Sequence, residues 1–187
     1  PELTEALKAS VNQKRIQLAK LLEQAASQFP AITFANSFGA EDMVLTDIIM
    51  REKLAIEIFS LDTGRLPAET YTLMAEAGST YQTKLKVYFP KHEVVEQYVQ
   101  TKGINAFYES IDLRKACCHM RKVEPLQRAL NGKQAWITGM RAEQATTRAN
   151  LPVQEFDEGN QLEKFNPLSD WTEQEVWAYI RMHDVPY

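Results

Sequence analysis

Two adjacent cysteines, Cys117 and Cys118, are the chain's only thiols, and the stretch around them reads Arg114-Lys115-Ala116-Cys117-Cys118-His119-Met120-Arg121-Lys122. Four cations flank two sulfurs. Nearby positive charge favours the thiolate, the form that binds metal or attacks an electrophile, so the segment suits thiolate chemistry or the holding of an anion. The plainer alternative is a pair of small apolar side chains in a core. Zinc ligands are normally two to four residues apart, so adjacency does not favour zinc. Iron–sulfur clusters take four cysteines, and two neighbours could ligate different irons of one cube. This chain has two cysteines, so the other ligands would have to come from a partner chain or from sequence beyond Tyr187. His119 is a polar neighbour of the thiols, while His92 and His183 are expected at helix ends or on the surface.

Three further segments carry chemistry. Asn36-Ser37-Phe38-Gly39-Ala40-Glu41-Asp42 lies between an apolar run and a helical pattern. Unpartnered N–H groups in a helix's first turn can cradle a phosphate there. With one glycine and no Walker lysine it is not a nucleoside-triphosphate loop. An ordinary strand-to-helix turn capped by Ser37 is the alternative. Leu61-Asp62-Thr63-Gly64-Arg65 ends another apolar run; Asp62 can accept from an adenine amine or a ribose hydroxyl, Gly64 admits close approach, and Arg65 is an anion contact or a surface charge. Gly139-Met140-Arg141 leads into Glu143, Gln144 and Arg148, where Arg141 and Arg148 could fork onto phosphate or sulfate oxygens, or else Glu143 could pair with them at the surface.

The elements that must position these residues follow from periodicity. Leu3 to Ser27 has apolar residues at three- and four-residue spacing, which predicts one or two amphipathic helices, closed by Phe29-Pro30. Strands are expected over 31–35, 56–61, 85–89 and 134–138, with a short pair at 153–156 and 162–165. Helices are expected over 40–54, from Pro67 to a stop at Gly78, over 92–101 before Gly103, from Pro125 to Asn131-Gly132, and from a Thr172/Glu175 capping box onward. Alternating strands and helices imply an α/β, doubly wound, mainly parallel sheet with helices on both faces. Ligands bind beyond the carboxyl ends of such strands, and the turns at 36–42, 62–65 and 139–148 all lie there. The expected organisation is an N-terminal helical segment, 1–30, and a nucleotide-binding core, 31–187.

Composition narrows the function class. With 187 residues, 44% hydrophobic and 25% charged, the chain can bury a core without disulfides. A net charge of −4 argues against broad nucleic-acid binding, and no apolar run is long enough for a membrane span. The start lacks the marks of a secretory signal and the thiols suit a reducing compartment, so cytoplasm is expected. Clustered cations on an acidic chain point to a small-anion pocket.

Taken together, Ser37–Asp42, Leu61–Arg65, Cys117-Cys118 with Arg121 to Leu126, Trp136–Arg141 with Gln144 and Arg148, and Asn166-Pro167-Leu168 with Trp171-Thr172 resemble the assimilatory adenylyl-sulfate (APS) and phosphoadenylyl-sulfate (PAPS) reductases. These belong to the adenine-nucleotide α-hydrolase-like (Rossmann-like) superfamily. The adjacent cysteines resemble the APS-using branch, which carries a [4Fe-4S] cluster, and so imply Cys117 and Cys118 as two of its ligands. The resemblance implies a cysteine attacking the sulfur of APS, departure of AMP, and release of sulfite from an S-sulfocysteine by thioredoxin. It further implies that Ser37, Phe38, Gly39, Ala40, Glu41 and Asp42 form a modified phosphate loop. Leu61, Asp62, Thr63, Gly64 and Arg65 would contact the nucleoside; Gly139, Arg141 and Arg148 would flank the phosphosulfate; and Lys122 would stabilise charge between cluster and substrate. Family members continue past the position of Tyr187 into a C-x-x-C pair and a tail whose Glu-Cys-Gly-Leu-His cysteine is the nucleophile. This catalytic tail is absent here, so the chain as given is expected to bind adenylate weakly and not to turn over. PAPS reduction, an ATP pyrophosphatase disfavoured by the single glycine of the 37–40 loop, and a non-catalytic nucleotide-binding or thiol-sensing module are the competing readings. A homo-oligomer is compatible with the sequence.

Overall fold

The computed structural model describes residues 2–144 and 150–187. One helix, α1 (Glu5–Gln28), forms the amino-terminal segment; Thr4 caps it by accepting the Leu7 N–H, and Val11, Leu18, Leu22 and Ala25 make its buried stripe. Strand and helix then alternate through β1 (Ile32–Ala35), α2 (Ala40–Arg51), β2 (Glu57–Leu61), α3 (Ala68–Thr80), β3 (Lys86–Tyr88) and α4 (His92–Lys102). A 3₁₀ turn at Ala106–Tyr108 leads into α5 (Ile111–Cys118), a π-helical turn (His119–Val123) and α6 (Glu124–Leu130). The chain ends with β4 (Ala135–Ile137), a 3₁₀ turn at Ala142–Gln144, β5 (Gln154–Asp157), β6 (Leu162–Phe165) and α7 (Glu173–His183).

The strands form one sheet in the order β3-β2-β1-β4-β6-β5, parallel except for β5, which pairs antiparallel with β6. Because β2 and β3 grow from one side of β1 and β4 lies on the other, the strand order reverses between β1 and β4. A crevice opens at such a reversal. Alternation along β2 shows why both faces need cover: Ile58 joins a core built with α1, α2, α3 and α7, and Phe59 joins a smaller one with Ala129 and Leu130 of α6. Each large side chain fully buried in this way contributes roughly 1.5–3 kcal/mol.

The expected doubly wound α/β architecture is present, with local corrections. Gly78 does not stop α3, which runs on to Thr80; the chain turns instead where the Thr83 N–H donates to the Gly78 carbonyl at 3.1 Å. α4 forms as expected but buries none of its residues; Val95, Tyr98 and Val99 are half-buried and Val94 is exposed. The helix expected from Pro125 is the last part of a longer run starting at Ile111. The capping box at Thr172 and Glu175 forms as predicted, and Lys14 and Ser10 of α1 also bond Glu175, at 2.8 and 2.7 Å.

Away from the carboxyl edge, Asp47 of α2 is fully buried and accepts from the Tyr81 hydroxyl (2.9 Å), the Tyr179 hydroxyl and Arg51 Nε (2.8 Å). One carboxylate therefore ties α2 to the end of α3 and to α7. Burial, followed by contact with this carboxylate, pushes both tyrosine hydroxyls up.

Candidate active site

At the end of β1 the chain turns through a strained loop. Phe38 is buried yet has φ +65°, a left-handed conformation that bulky residues rarely take. Its N–H donates to the Asn36 side-chain oxygen at 2.8 Å. Asp42, at the third position of α2, folds back so that one oxygen accepts from the Ser37 N–H (2.6 Å) and hydroxyl (2.7 Å). The expected Ser37 cap is thus replaced: Gly39 is the capping residue and makes no side-chain bond, while Ser37 serves Asp42. Burial raises the Asp42 carboxyl to about 6, with the Ser37 hydrogen bonds opposing and neighbouring Glu41 reinforcing the rise.

Across the crevice, Gly139 follows β4. A Cβ there would overlap Asp42 Oδ1 and lie 3.3 Å from Glu41 Cβ, so only glycine lets the two loops touch. Arg141 is buried, with Nε on Glu41 at 3.0 Å and Nη1 on Glu143 at 3.3 Å, and Gln144 Nε2 also reaches Glu41 at 3.1 Å. Glu41 therefore fastens the β4 loop to the β1 loop. Arg148 lies outside the described residues.

The β2 turn is the third wall. Asp62 Oδ1 accepts from the Gly64 N–H (2.8 Å) and the Tyr71 hydroxyl (2.7 Å), and Thr63 Oγ1 accepts from the Arg65 N–H (3.1 Å). Gly64 has φ +77°, and a Cβ on it would press Arg121 Nη1 at 3.1 Å. The Arg65 guanidinium is drawn sideways, bonding the Ile104 carbonyl and the Asn105 side chain at 3.2 Å and lying 4.6 Å from the Phe107 ring centre.

The cysteines close the fourth side. Ser110 caps α5, accepting from Leu113 N–H at 3.0 Å, and Tyr98 of α4 donates its hydroxyl to the Leu113 carbonyl at 2.8 Å. The π turn directly after Cys118 alters the helical register, a feature common at functional sites. Cys117, Cys118, Arg121 and Lys122, at helical spacing, all border one cavity of 650 Å³, together with Arg114 and Thr63. Cys117 is half-buried and Cys118 exposed. Arg121 is buried, donates to the Thr63 carbonyl, and its Nε has no hydrogen-bond partner among the described residues.

This cavity meets a second, of 240 Å³, at Thr63, Leu66 and Lys122; its other walls include Ser37, Phe59 and Leu61. A third, of 320 Å³, shares Ser37 and runs past Asp42, Gly139 and Trp136. The described sequence-predicted residues other than Phe38, Ala40, Asp62, Gly64 and Arg141 line this row of cavities directly. Those five sit in the same turns as residues that do. Sequence reasoning missed Thr46, and it named Asn36 and Arg121 only as members of their segments, without the organising roles they have here.

The domain model for phosphoadenosine phosphosulfate reductases matches residues 31–187. The chain belongs to that family. Among family relatives, the adenosine 5'-phosphosulfate reductase of Allochromatium vinosum is 54% identical over 90% of this chain and 66% of its own length. That of Burkholderia cepacia is 47% identical over 98% of this chain and 72% of its own length. This member of the phosphoadenosine phosphosulfate reductase family thus spans about two thirds to three quarters of those proteins. A crystal structure of phosphoadenylyl-sulfate (PAPS) reductase from Candida auris, as a phosphate complex, matches all of this chain and 90% of that one, with TM-score 0.78 and 30% identity. An NH3-dependent NAD synthetase from Campylobacter jejuni shares the fold alone, at TM-score 0.64 and 9% identity. Among the described residues, no helix is long and apolar enough to cross a membrane.

Proposed function

We propose that the full-length protein reduces adenylyl sulfate to sulfite and AMP in assimilatory sulfate reduction, in the cytoplasm, with thioredoxin or a similar dithiol as reductant. The observation that carries this reading is the junction of the two cavities, where Lys122 stands between a pocket lined by the β1 and β2 turns and one lined by the cysteine pair. The relatives' names supply the substrate class.

In this reading the 240 Å³ pocket takes the adenosine half, with Phe59 and Leu61 as apolar wall. The phosphosulfate points towards Lys122, Arg114 and Arg121, whose charges offset the anion. A cysteine thiolate from beyond Tyr187 attacks the sulfur, the S–O bond breaks, and AMP leaves with the bonding electrons. A dithiol then attacks the sulfur of that cysteine, releasing sulfite and becoming a disulfide, so the two electrons come from the dithiol.

We further propose that Cys117 and Cys118 supply two of the four thiolates of a [4Fe-4S] cluster. One exposed and one half-buried thiol, at an open cavity also lined by Arg65, Arg114, Arg121 and Lys122, fit that use. Among the described residues no group of three His, Cys, Asp or Glu side chains forms a metal site, so the pair would be this chain's whole contribution. Bound there, the cluster would organise and polarise the sulfuryl end of the cleft.

The resemblance to a PAPS reductase structure favours PAPS as the second reading. Steady-state assays of anaerobically purified full-length protein with both nucleotides decide between them. Preference for APS, with iron and acid-labile sulfide present, is expected. Iron-free protein that prefers the 3′-phosphorylated substrate would overturn the proposal.

A further inference from the structure

Asn36 is 2% exposed at the carboxyl end of the central strand, where it borders the 240 Å³ pocket, and its backbone N–H, side-chain NH2 and side-chain oxygen each bond within the protein. The backbone N–H donates to the Phe59 carbonyl at 2.8 Å, continuing the sheet one residue beyond β1. Its side-chain NH2 donates to Thr46 Oγ1 at 2.9 Å, and its side-chain oxygen accepts the Phe38 N–H at 2.8 Å. Thr46 Oγ1 in turn donates to the Asp42 carbonyl at 2.8 Å. Two side chains thus span the loop from beneath and hold both ends of it, the left-handed Phe38 and the first turn of α2.

Left alone, a phenylalanine leaves the left-handed region, and the Ser37–Gly39 backbone would leave with it. An Asx-type bond from the residue two positions earlier is a local device that holds such a turn. We propose that Asn36, backed by Thr46, is the positioning residue of the adenylate loop: it fixes Phe38 at positive φ and thereby sets the Ser37 and Gly39 backbone against which the nucleotide binds. This rests on the reading of the cleft as a nucleotide site.

The test uses the full-length protein and AMP, followed by NMR titration, in a cycle of Asn36→Ala and Phe38→Gly. Glycine takes positive φ without help. Asn36→Ala alone should weaken AMP binding about tenfold or more and speed exchange of the Phe38 amide, and in the Phe38→Gly background its cost should shrink to under about threefold. An equal cost in both backgrounds, or unchanged affinity in Asn36→Ala, would overturn the inference. If wild type ignores AMP, the nucleotide reading fails separately. The Phe38 amide then decides: unchanged exchange in Asn36→Ala refutes the positioning role, and faster exchange supports it.

Discussion

Replacing Gly139 with alanine tests the contact between the two loops that flank the crevice. The added Cβ would overlap Asp42 Oδ1 and come within 3.2 Å of Asp42 Cγ, so the carboxylate has to swing away from β4. It can do so only by releasing the Ser37 N–H and hydroxyl, now at 2.6 and 2.7 Å. Hydrogen bonds to a charged group contribute about 1.5–3 kcal/mol each, and with partial relaxation the net cost should be about 2–4 kcal/mol. For a chain of this size that lowers the melting temperature by about 5–15 °C. Differential scanning calorimetry at pH 7 provides the readout, with Gly159→Ala as control, since a Cβ there meets only Asp157 Oδ1 at an ordinary 3.5 Å. The control should stay within about 0.5 kcal/mol of wild type. In an Asp42→Ala background the cost of Gly139→Ala should largely vanish. A Gly139→Ala protein that melts with wild type, or costs as much without Asp42, would refute the contact.

Asp42 also predicts a pH dependence. Its folded value of about 6 exceeds the unfolded one near 3.9, so the fold holds the proton more tightly and stability falls by about 2–3 kcal/mol as pH rises from about 4 to 6. The melting temperature of wild type should fall relative to that of Asp42→Asn over that range, and a relative rise would contradict the assignment. His183, held below its ordinary value chiefly by burial, acts in the opposite sense: its contribution is lost as pH falls below about 6.5, and His183→Gln should remove that loss in melts from pH 7.5 to 5. Asp47→Ala should cost about 2–4 kcal/mol by leaving the buried Tyr179 hydroxyl and the half-buried Tyr81 hydroxyl without their acceptor, against about 1 kcal/mol for Tyr179→Phe in urea unfolding. In the full-length protein, Lys122→Ala should lower kcat more than it raises KM for APS; a pure KM effect would remove its proposed role.

The alternation of strands and helices was legible because parallel strands buried on both faces read as short apolar runs, as in Ile56 to Leu61. The Thr172/Glu175 box was legible because capping is a local interaction. α5 was not: Ile111–Cys118 buries no residue, so it has no apolar stripe to read, and a Ser110 cap and the Tyr98 bond help hold it. Gly78 misled because a glycine inside a helix and one after it look alike in sequence; here its carbonyl serves the turn beyond α3. The loops that bear the candidate site were legible as unusual residues at strand ends. Their internal wiring was not, because the Glu41–Arg141 and Thr63–Arg121 pairs join residues 100 and 58 positions apart. Phe38 at positive φ contradicts local preference, and such conflicts gather where a backbone is shaped for a ligand.

A crystal structure of the full-length protein grown anaerobically with adenylyl sulfate bears most directly on the central claim. The adenosine should lie between the Ser37–Asp42 loop and the Leu61–Arg65 turn, with the sulfuryl group facing Lys122 and an iron–sulfur cube on Cys117 and Cys118. A nucleotide bound elsewhere, or two thiols packed without metal and far from it, would contradict the account.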